Sequence, residues 1–261
     1  MGFLTDLVDD LRNRLERDPL DESSLMGRAM QLPPPRPFEE ALRSASPPAV
    51  IAEFKRSSPS GGAISDADLS TRVRAYGAGG AVAVSVLTEP TGFDGSLADL
   101  RAARLAVPLP VLRKDFLVHP AQVIESRATG ADAVLLISAA LTELELKGML
   151  AVADDLGLGA LVEAHSEEDL GKALTTDAGV VGVNARDLET LEVDLERALA
   201  LLPLVPRDRV AVLESGVSTR EHVERALDAG ASAVLVGETL MRAPDPEATI
   251  RGLRGEKDGR R

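Results

Sequence analysis

The 261-residue chain carries 42 acidic against 29 basic residues, a formal charge of −13, with 44% hydrophobic residues and few aromatics: five Phe, one Tyr and no Trp. That is a globular composition, and the acidic surplus argues against nucleic acid, which is bound by basic stripes with stacking aromatics. Without cysteine there is no disulfide, no thiolate nucleophile and no zinc–thiolate site. No apolar run approaches the length of a membrane span and the charged N-terminus lacks a secretory apolar stretch, so no membrane partner and a cytoplasmic location are expected.

Phe3–Arg17 reads as a helix, the four prolines within Leu32–Pro37 demand extended backbone, and Phe38–Arg43 reads as a second short helix. Residues 1–49 are too few for a core of their own and form an N-terminal helical extension packing on the larger domain after it. The Pro-rich stretch and Phe38–Arg43 are expected to lie across the mouth of that domain as a lid.

Eight apolar, β-branched runs come next: Val50–Phe54, Ala81–Leu87, Pro110–Arg113, Ala133–Ile137, Ala160–Glu163, Val180–Asn184, Val210–Glu214 and Ala233–Gly237. Such runs suit parallel strands buried on both faces. Amphipathic stretches alternate with them, including Leu141–Leu156, Ser166–Leu174, Thr219–Ala229 and Pro246–Leu253; Ser166 and Thr219 are N-cap signals. Eight β-then-α units predict an α/β fold, a single (β/α)8 TIM barrel over residues 50–255. A doubly wound open sheet is the alternative, weakened because no Gly-x-Gly-x-x-Gly follows the first strand. Gly130–Val134 and Gly230–Val234 look like the same half-unit entering strands four and eight. Residues 256–261 form a charged tail.

Active residues of such a barrel sit at the carboxyl ends of its strands. Those positions hold Glu53 and Lys55, Lys114, Glu163, Asn184 with Arg186, and Glu214 with Ser215. The chain has only five lysines (55, 114, 147, 172 and 257), so two at strand ends stand out. Lysine gives up a proton when desolvated, whereas arginine does not, and a lowered pKa is expected for a lysine in such a site. The Ser57–Gly62 loop, Ser215-Gly216 and Gly237–Met241 follow strands one, seven and eight, the last two being the usual phosphate site of this barrel. Any contact from Glu238 is expected through its backbone amide, with the carboxylate turned away. The three histidines (119, 165 and 222) are scattered at helix starts, as surface or capping residues rather than a ligand cluster. No metal and no cofactor are expected.

At these residues the chain resembles the indole-3-glycerol-phosphate synthase family. The matching segments are Ile51–Ser60, Ser85–Glu89, Phe93–Leu97, Leu112–Phe116, Leu161–Glu163, Gly182–Leu188, Glu214–Gly216 and Gly237–Met241, and Phe38–Leu42 resembles the end of the family's N-terminal extension. Departures are small: Ala185, the pair Thr91-Gly92 before Phe93, and His119.

The resemblance implies ring closure, decarboxylation and dehydration of 1-(2-carboxyphenylamino)-1-deoxyribulose 5-phosphate, a phosphorylated small molecule. It implies Lys114 as the ring-closure acid, Lys55 holding the carboxylate and assisting dehydration with Glu53, and Glu163 as the second acid/base. Asn184 and Glu214 would orient these groups, Arg186 would lie near the carboxylate and Ser215 near the hydroxyls. Ser58, Gly216, Gly237 and Glu238 match phosphate-binding positions, and Phe93, Phe116, Leu135 and Leu191 the walls around the aromatic ring. Three alternatives stand beside it: a phosphoribosylanthranilate isomerase-like barrel, a non-catalytic scaffold, and a paralogue acting on a modified anthranilate. The expected state is a monomer, with a weak homodimer as its alternative.

Overall fold

The eight apolar runs become eight parallel strands because each is flanked by a helix that covers its outer face while neighbouring strands satisfy its backbone. In the computed structural model, which describes residues 2–59, 62–64 and 67–256, the strands are β1 (Ala49–Phe54), β2 (Ala83–Leu87), β3 (Val111–Lys114), β4 (Ala133–Ile137), β5 (Gly159–Ala164), β6 (Val180–Asn184), β7 (Val210–Glu214) and β8 (Ala233–Val236). Each pairs in parallel with the next, and β8 returns to β1 with Ala49 opposite Ala233, closing the barrel. Strands four, six and seven keep the predicted bounds. The third starts one residue past Pro110, which lacks the amide a ladder needs.

Helix caps follow the side chains. Ser166 accepts from Asp169 N and Thr219 from His222 N, starting Glu167–Leu174 and Arg220–Asp228. The two similar half-units have the same local form: Gly130 and Gly230 take φ of 98° and 102° at the ends of their helices, and the chain enters β4 and β8 directly afterwards. Only glycine holds that backbone without strain.

The N-terminal extension forms three helices: α1 (Phe3–Arg17), α2 (Glu22–Ala29) and α3 (Phe38–Ser44). Sequence reading misses α2, which Asp21 caps by accepting from Ser24 N. The placement of α3 corrects the lid expectation. Phe38 and Leu42 are buried, and Phe38 packs against Gly159, the first residue of β5. Arg36 beside it donates from its backbone to Asp132 (2.7 Å) and from its guanidinium to the carbonyls of Val107 and Leu109. All of these lie where the chain enters the strands, so α3 plugs the amino-terminal end of the barrel. Two large apolar side chains in a short helix drive it into that core.

The helix α1 takes the opposite end. Phe3 and Leu4 donate backbone hydrogen bonds to Glu189 and Leu188, just beyond β6, and Arg12 reaches Ala140 O and Glu145, just beyond β4. Its buried residues Leu4, Val8 and Leu11 recur at helical spacing. Ser60 and Gly61 of the Ser57–Gly62 loop and Lys257–Arg261 of the charged tail lie outside the described residues. The rest of that loop forms a two-residue hairpin, Ser57–Ser58 with Gly62–Ala63.

Candidate active site

A cavity of about 410 Å³ opens at the carboxyl ends of the strands. Fourteen of the sixteen sequence-predicted residues line it: Glu53, Lys55, Phe93, Lys114, Phe116, Leu135, Glu163, Asn184, Arg186, Glu214, Ser215, Gly216, Gly237 and Glu238. Ser58 and Leu191 do not. Ser58 is buried in the hairpin after β1. Leu191 adopts a left-handed φ of 65° and serves through its carbonyl, which accepts from Arg186 Nη1 at 2.6 Å. Leu188 and Val193, on the same loop, present their side chains to the cavity instead.

The chemistry is concentrated in two ion-paired groups. Lys55 Nζ lies 3.1 Å from Glu53 Oε1 at the end of β1. Lys114 Nζ, at the end of β3, lies 3.0 Å from Glu163 Oε2 and 3.5 Å from Glu214 Oε2. Glycines make room for the carboxylates, since a β-carbon on Gly237 would overlap Glu53 Oε1 and one on Gly182 would overlap Glu214 Oε1.

The electrostatics reverse the lowered lysine pKa that desolvation alone predicts. Burial pulls Lys114 down, but Glu163, Glu214 and Glu53 together outweigh it and hold the ammonium above the ordinary lysine range. Burial likewise opposes ionisation of Glu163, yet Lys114, with help from His165 and Asn184, holds it well below the ordinary carboxylate range. Glu214 goes the other way: burial, then the neighbouring charge of Glu163, pushes it well above that range. Lys114 is thus held charged and Glu163 ionised, while burial beside Glu163 opposes ionisation of Glu214, since two carboxylates sharing one cation do not ionise equally.

Behind Lys114 stands a network that sequence reading misses. Arg113 points away from the cavity and binds Asp115, Glu125, Ser126 Oγ and the Gln122 carbonyl. Asp115 also accepts from Thr88 Oγ1 at 2.6 Å and from Phe116 N at 2.9 Å. It thus ties the backbone of Phe116 to the end of β2, and Phe116 lies 6.2 Å from Phe93 and 6.2 Å from Phe3 of α1. The sequence signal is present in the alternation along Leu112–Lys114, which turns Arg113 outward when Lys114 faces in.

On the far side, Asn184 Oδ1 accepts from Arg186 N at 2.9 Å and holds the start of the loop after β6. Ser215 and Gly216 take consecutive left-handed φ values of 63° and 74°, and both line the cavity. The Glu238 carboxylate accepts from Arg242 Nε at 2.9 Å, and both residues line the cavity.

The histidines divide. His119 caps Pro120–Thr129, accepting from Ala121 N, and His222 accepts from Ser218 N. His165 departs from the surface-or-cap expectation: it is buried, with Nε2 3.0 Å from Glu163 Oε1. Among the described residues, no three His, Asp or Glu side chains are grouped as metal ligands.

Residues 4–253 match the family model described as indole-3-glycerol phosphate synthase. The chain belongs to the indole-3-glycerol phosphate synthase family. A relative of that name from Micrococcus luteus is 47% identical over 261 residues, covering 97% of each chain. Another of that name from a Nocardioides species is 47% identical over 258 residues, covering 98% of this chain and 99% of the relative. The crystal structure of 3-hexulose-6-phosphate synthase aligns with a TM-score of 0.62 over 80% of this chain and 99% of that one; at 17% identity it speaks for the barrel fold alone. The family match runs from α1 to the last helix, Pro246–Arg254, so it takes in the extension and both ends of the barrel. No described helix is long and apolar enough to cross a membrane.

Proposed function

We propose that this chain is an indole-3-glycerol phosphate synthase, a carbon–carbon lyase that closes the indole ring of a 1-(2-carboxyphenylamino)-1-deoxyribulose 5-phosphate with loss of carbon dioxide and water. The observation that carries the assignment of roles is Lys114: an ammonium held by two buried carboxylates and facing an apolar wall of Phe93, Phe116 and Leu135.

Ring closure places developing negative charge on the ketone oxygen as the aromatic carbon attacks. Lys114, charged at rest, donates its proton there. Lys55 and Arg186 hold the carboxylate of the anthranilate ring, and the phenylalanine wall takes its apolar faces. Dehydration then needs an acid for the leaving hydroxyl and a base for a ring proton. Lys55 with Glu53 serves the first, and Glu163 serves the second. Asn184 and Glu214 orient these groups, while Ser215 meets the substrate hydroxyls.

The phosphate end belongs to the turn after β7 and the residues after β8, through the amides of Gly216, Gly237 and Glu238; Ser58 is the further contact from the hairpin after β1. Sulfate soaked into crystals should settle there, whereas an anion at Arg220 or Arg225 with this pocket empty would defeat the assignment. We further infer a cytoplasmic protein acting as a monomer; light scattering after size exclusion tests the monomer.

The decisive assay supplies the carboxyphenylamino substrate without added metal and follows indole fluorescence. The chain has no Trp, so the background is low. No indole product from folded protein would overturn the reading.

A further inference from the structure

Glu163 is completely buried, and each of its oxygens faces a different basic side chain. Oε2 lies 3.0 Å from Lys114 Nζ, and Oε1 lies 3.0 Å from His165 Nε2. Among the described residues, these are the only basic side chains paired with this carboxylate. The two contacts are not equivalent. The lysine makes a formed hydrogen bond. The imidazole approaches at the same distance without hydrogen-bond alignment, leaving Oε1 and Nε2 unsatisfied.

This matters for the reaction proposed above, on which the inference rests. Once Lys114 has given its proton to a substrate oxygen it is a neutral amine, and Glu163 no longer has a cation beside it. A buried carboxylate that loses its cation is costly, and it either takes up a proton or swings toward another donor. Either response would remove the base that later steps require.

We propose that His165 is a positioning residue that takes hold of Glu163 through Nε2–H once Lys114 has given its proton to the substrate, keeping the carboxylate in place. A small rotation of Glu163 away from Lys114 aligns the contact that is misaligned at rest.

The surroundings of the imidazole fit this role. His165 directly follows β5, so its backbone is fixed by the strand on one side and by the Ser166 cap on the other. It does not line the cavity, so it acts through Glu163 and not on the substrate. Its Nδ1 is 3.9 Å from Asp169 Oδ2, beyond hydrogen-bond reach, and that oxygen already accepts from Ser166 Oγ at 2.8 Å. Asp169 therefore does not claim the ring proton, and the Glu163 carboxylate draws it to Nε2.

Two variants separate positioning from packing. In His165→Gln the side-chain amide nitrogen reaches the place of Nε2, while in His165→Asn it falls short. His165→Asn should lose about 10- to 100-fold in kcat, a part of what general acid–base catalysis contributes, with KM changed less than about threefold. His165→Gln should recover to within about fivefold of the wild-type kcat. Circular dichroism confirms that both are folded, and both are polar replacements of similar shape. A folded His165→Asn with wild-type kcat overturns the proposal, and so does a His165→Gln as impaired as His165→Asn.

A measurement independent of turnover accompanies them. Long-range ¹H–¹⁵N spectra of the wild-type protein, taken where the ring is neutral, should place the His165 proton on Nε2. A proton on Nδ1 overturns the inference whether or not the enzyme makes indole. Failure of the functional reading shows separately, as a folded wild-type protein that forms no product.

Discussion

Gly182 lies directly beneath the carboxylate of Glu214, so close that a β-carbon on residue 182 would overlap Oε1 and crowd Leu161 Cδ1 at 3.2 Å. The middle of β6 has given up a side chain so that the end of β7 can fold an acid inward beside Lys114. Gly182→Ala should therefore cost about 1–3 kcal/mol in stability, the usual penalty of overpacking. It should also lower kcat by at least about tenfold by displacing Glu214 from the lysine. Thermal unfolding and steady-state kinetics check both, and a variant indistinguishable from wild type would show that the carboxylate has room to move.

Lys114→Arg keeps a positive charge between Glu163 and Glu214 but cannot release a proton. Turnover should fall on the order of 10²-fold or more while substrate still binds. Lys114→Ala should lose turnover at least as completely. Near-normal activity in the arginine variant would reduce Lys114 to an electrostatic role.

Glu214 gives a prediction with a definite sign. Its native pKa is raised by burial and by Glu163, so the folded state holds a proton that the unfolded chain releases near pH 4.3. Between that pH and the raised native value the unfolded state binds fewer protons, so the contribution of Glu214 to stability declines as pH rises. Glu214→Gln removes this decline. Its melting temperature, relative to wild type, should climb with pH above about 4.5. Parallel Tm curves for the two proteins across that range would contradict the raised pKa of Glu214.

The extension should behave as two separable pieces. Deleting residues 1–43 removes Phe38 and Leu42 from the entrance end of the barrel, and the truncated chain should fail to fold. Phe38→Ala alone should cost about 3–5 kcal/mol. Deleting only residues 1–18 removes α1 and its Phe3 contact to Phe116, leaving the plug. That protein should fold by circular dichroism yet bind substrate more weakly, because the cavity loses part of its cover. Full activity in the shorter deletion would mean that α1 is dispensable to the site.

The contrast between those pieces also shows where sequence reasoning stops. Strands β4, β6 and β7 are legible to the residue because all-apolar runs closed by a polar residue, at their last position in β6 and β7 and directly after it in β4, have no other reading in an alternating chain. The strand-end acids and lysines are legible for the same reason: parallel topology alone brings Glu53, Lys114, Glu163 and Glu214 to one end. Which end of the barrel a helix covers is not written in its local pattern. Phe38 and Leu42 look alike whether they plug the entrance or roof the exit, and only Gly159, more than a hundred residues later, decides. The pKa of Lys114 escapes for a related reason, since desolvation is a property of one residue whereas the three opposing carboxylates come from three other strands. His165 is easily overlooked because a single histidine at a helix start is nearly always a cap, as His119 indeed is.

The docking of α1 carries a consequence for biosynthesis. Phe3, Leu4 and Thr5 bond to Leu188 and Glu189, residues made some 184 positions later. The helix α1 leaves the ribosome long before its docking site and therefore cannot seat itself until β6 and the loop beyond it have emerged. Until then Leu4, Val8 and Leu11 present an apolar stripe to solvent, available to chaperones or to other nascent chains. Residues made early are here among the last to reach their native place, and shortening the wait, by moving α1 beyond the last barrel helix in a circular permutant, should reduce aggregation during synthesis without altering the barrel.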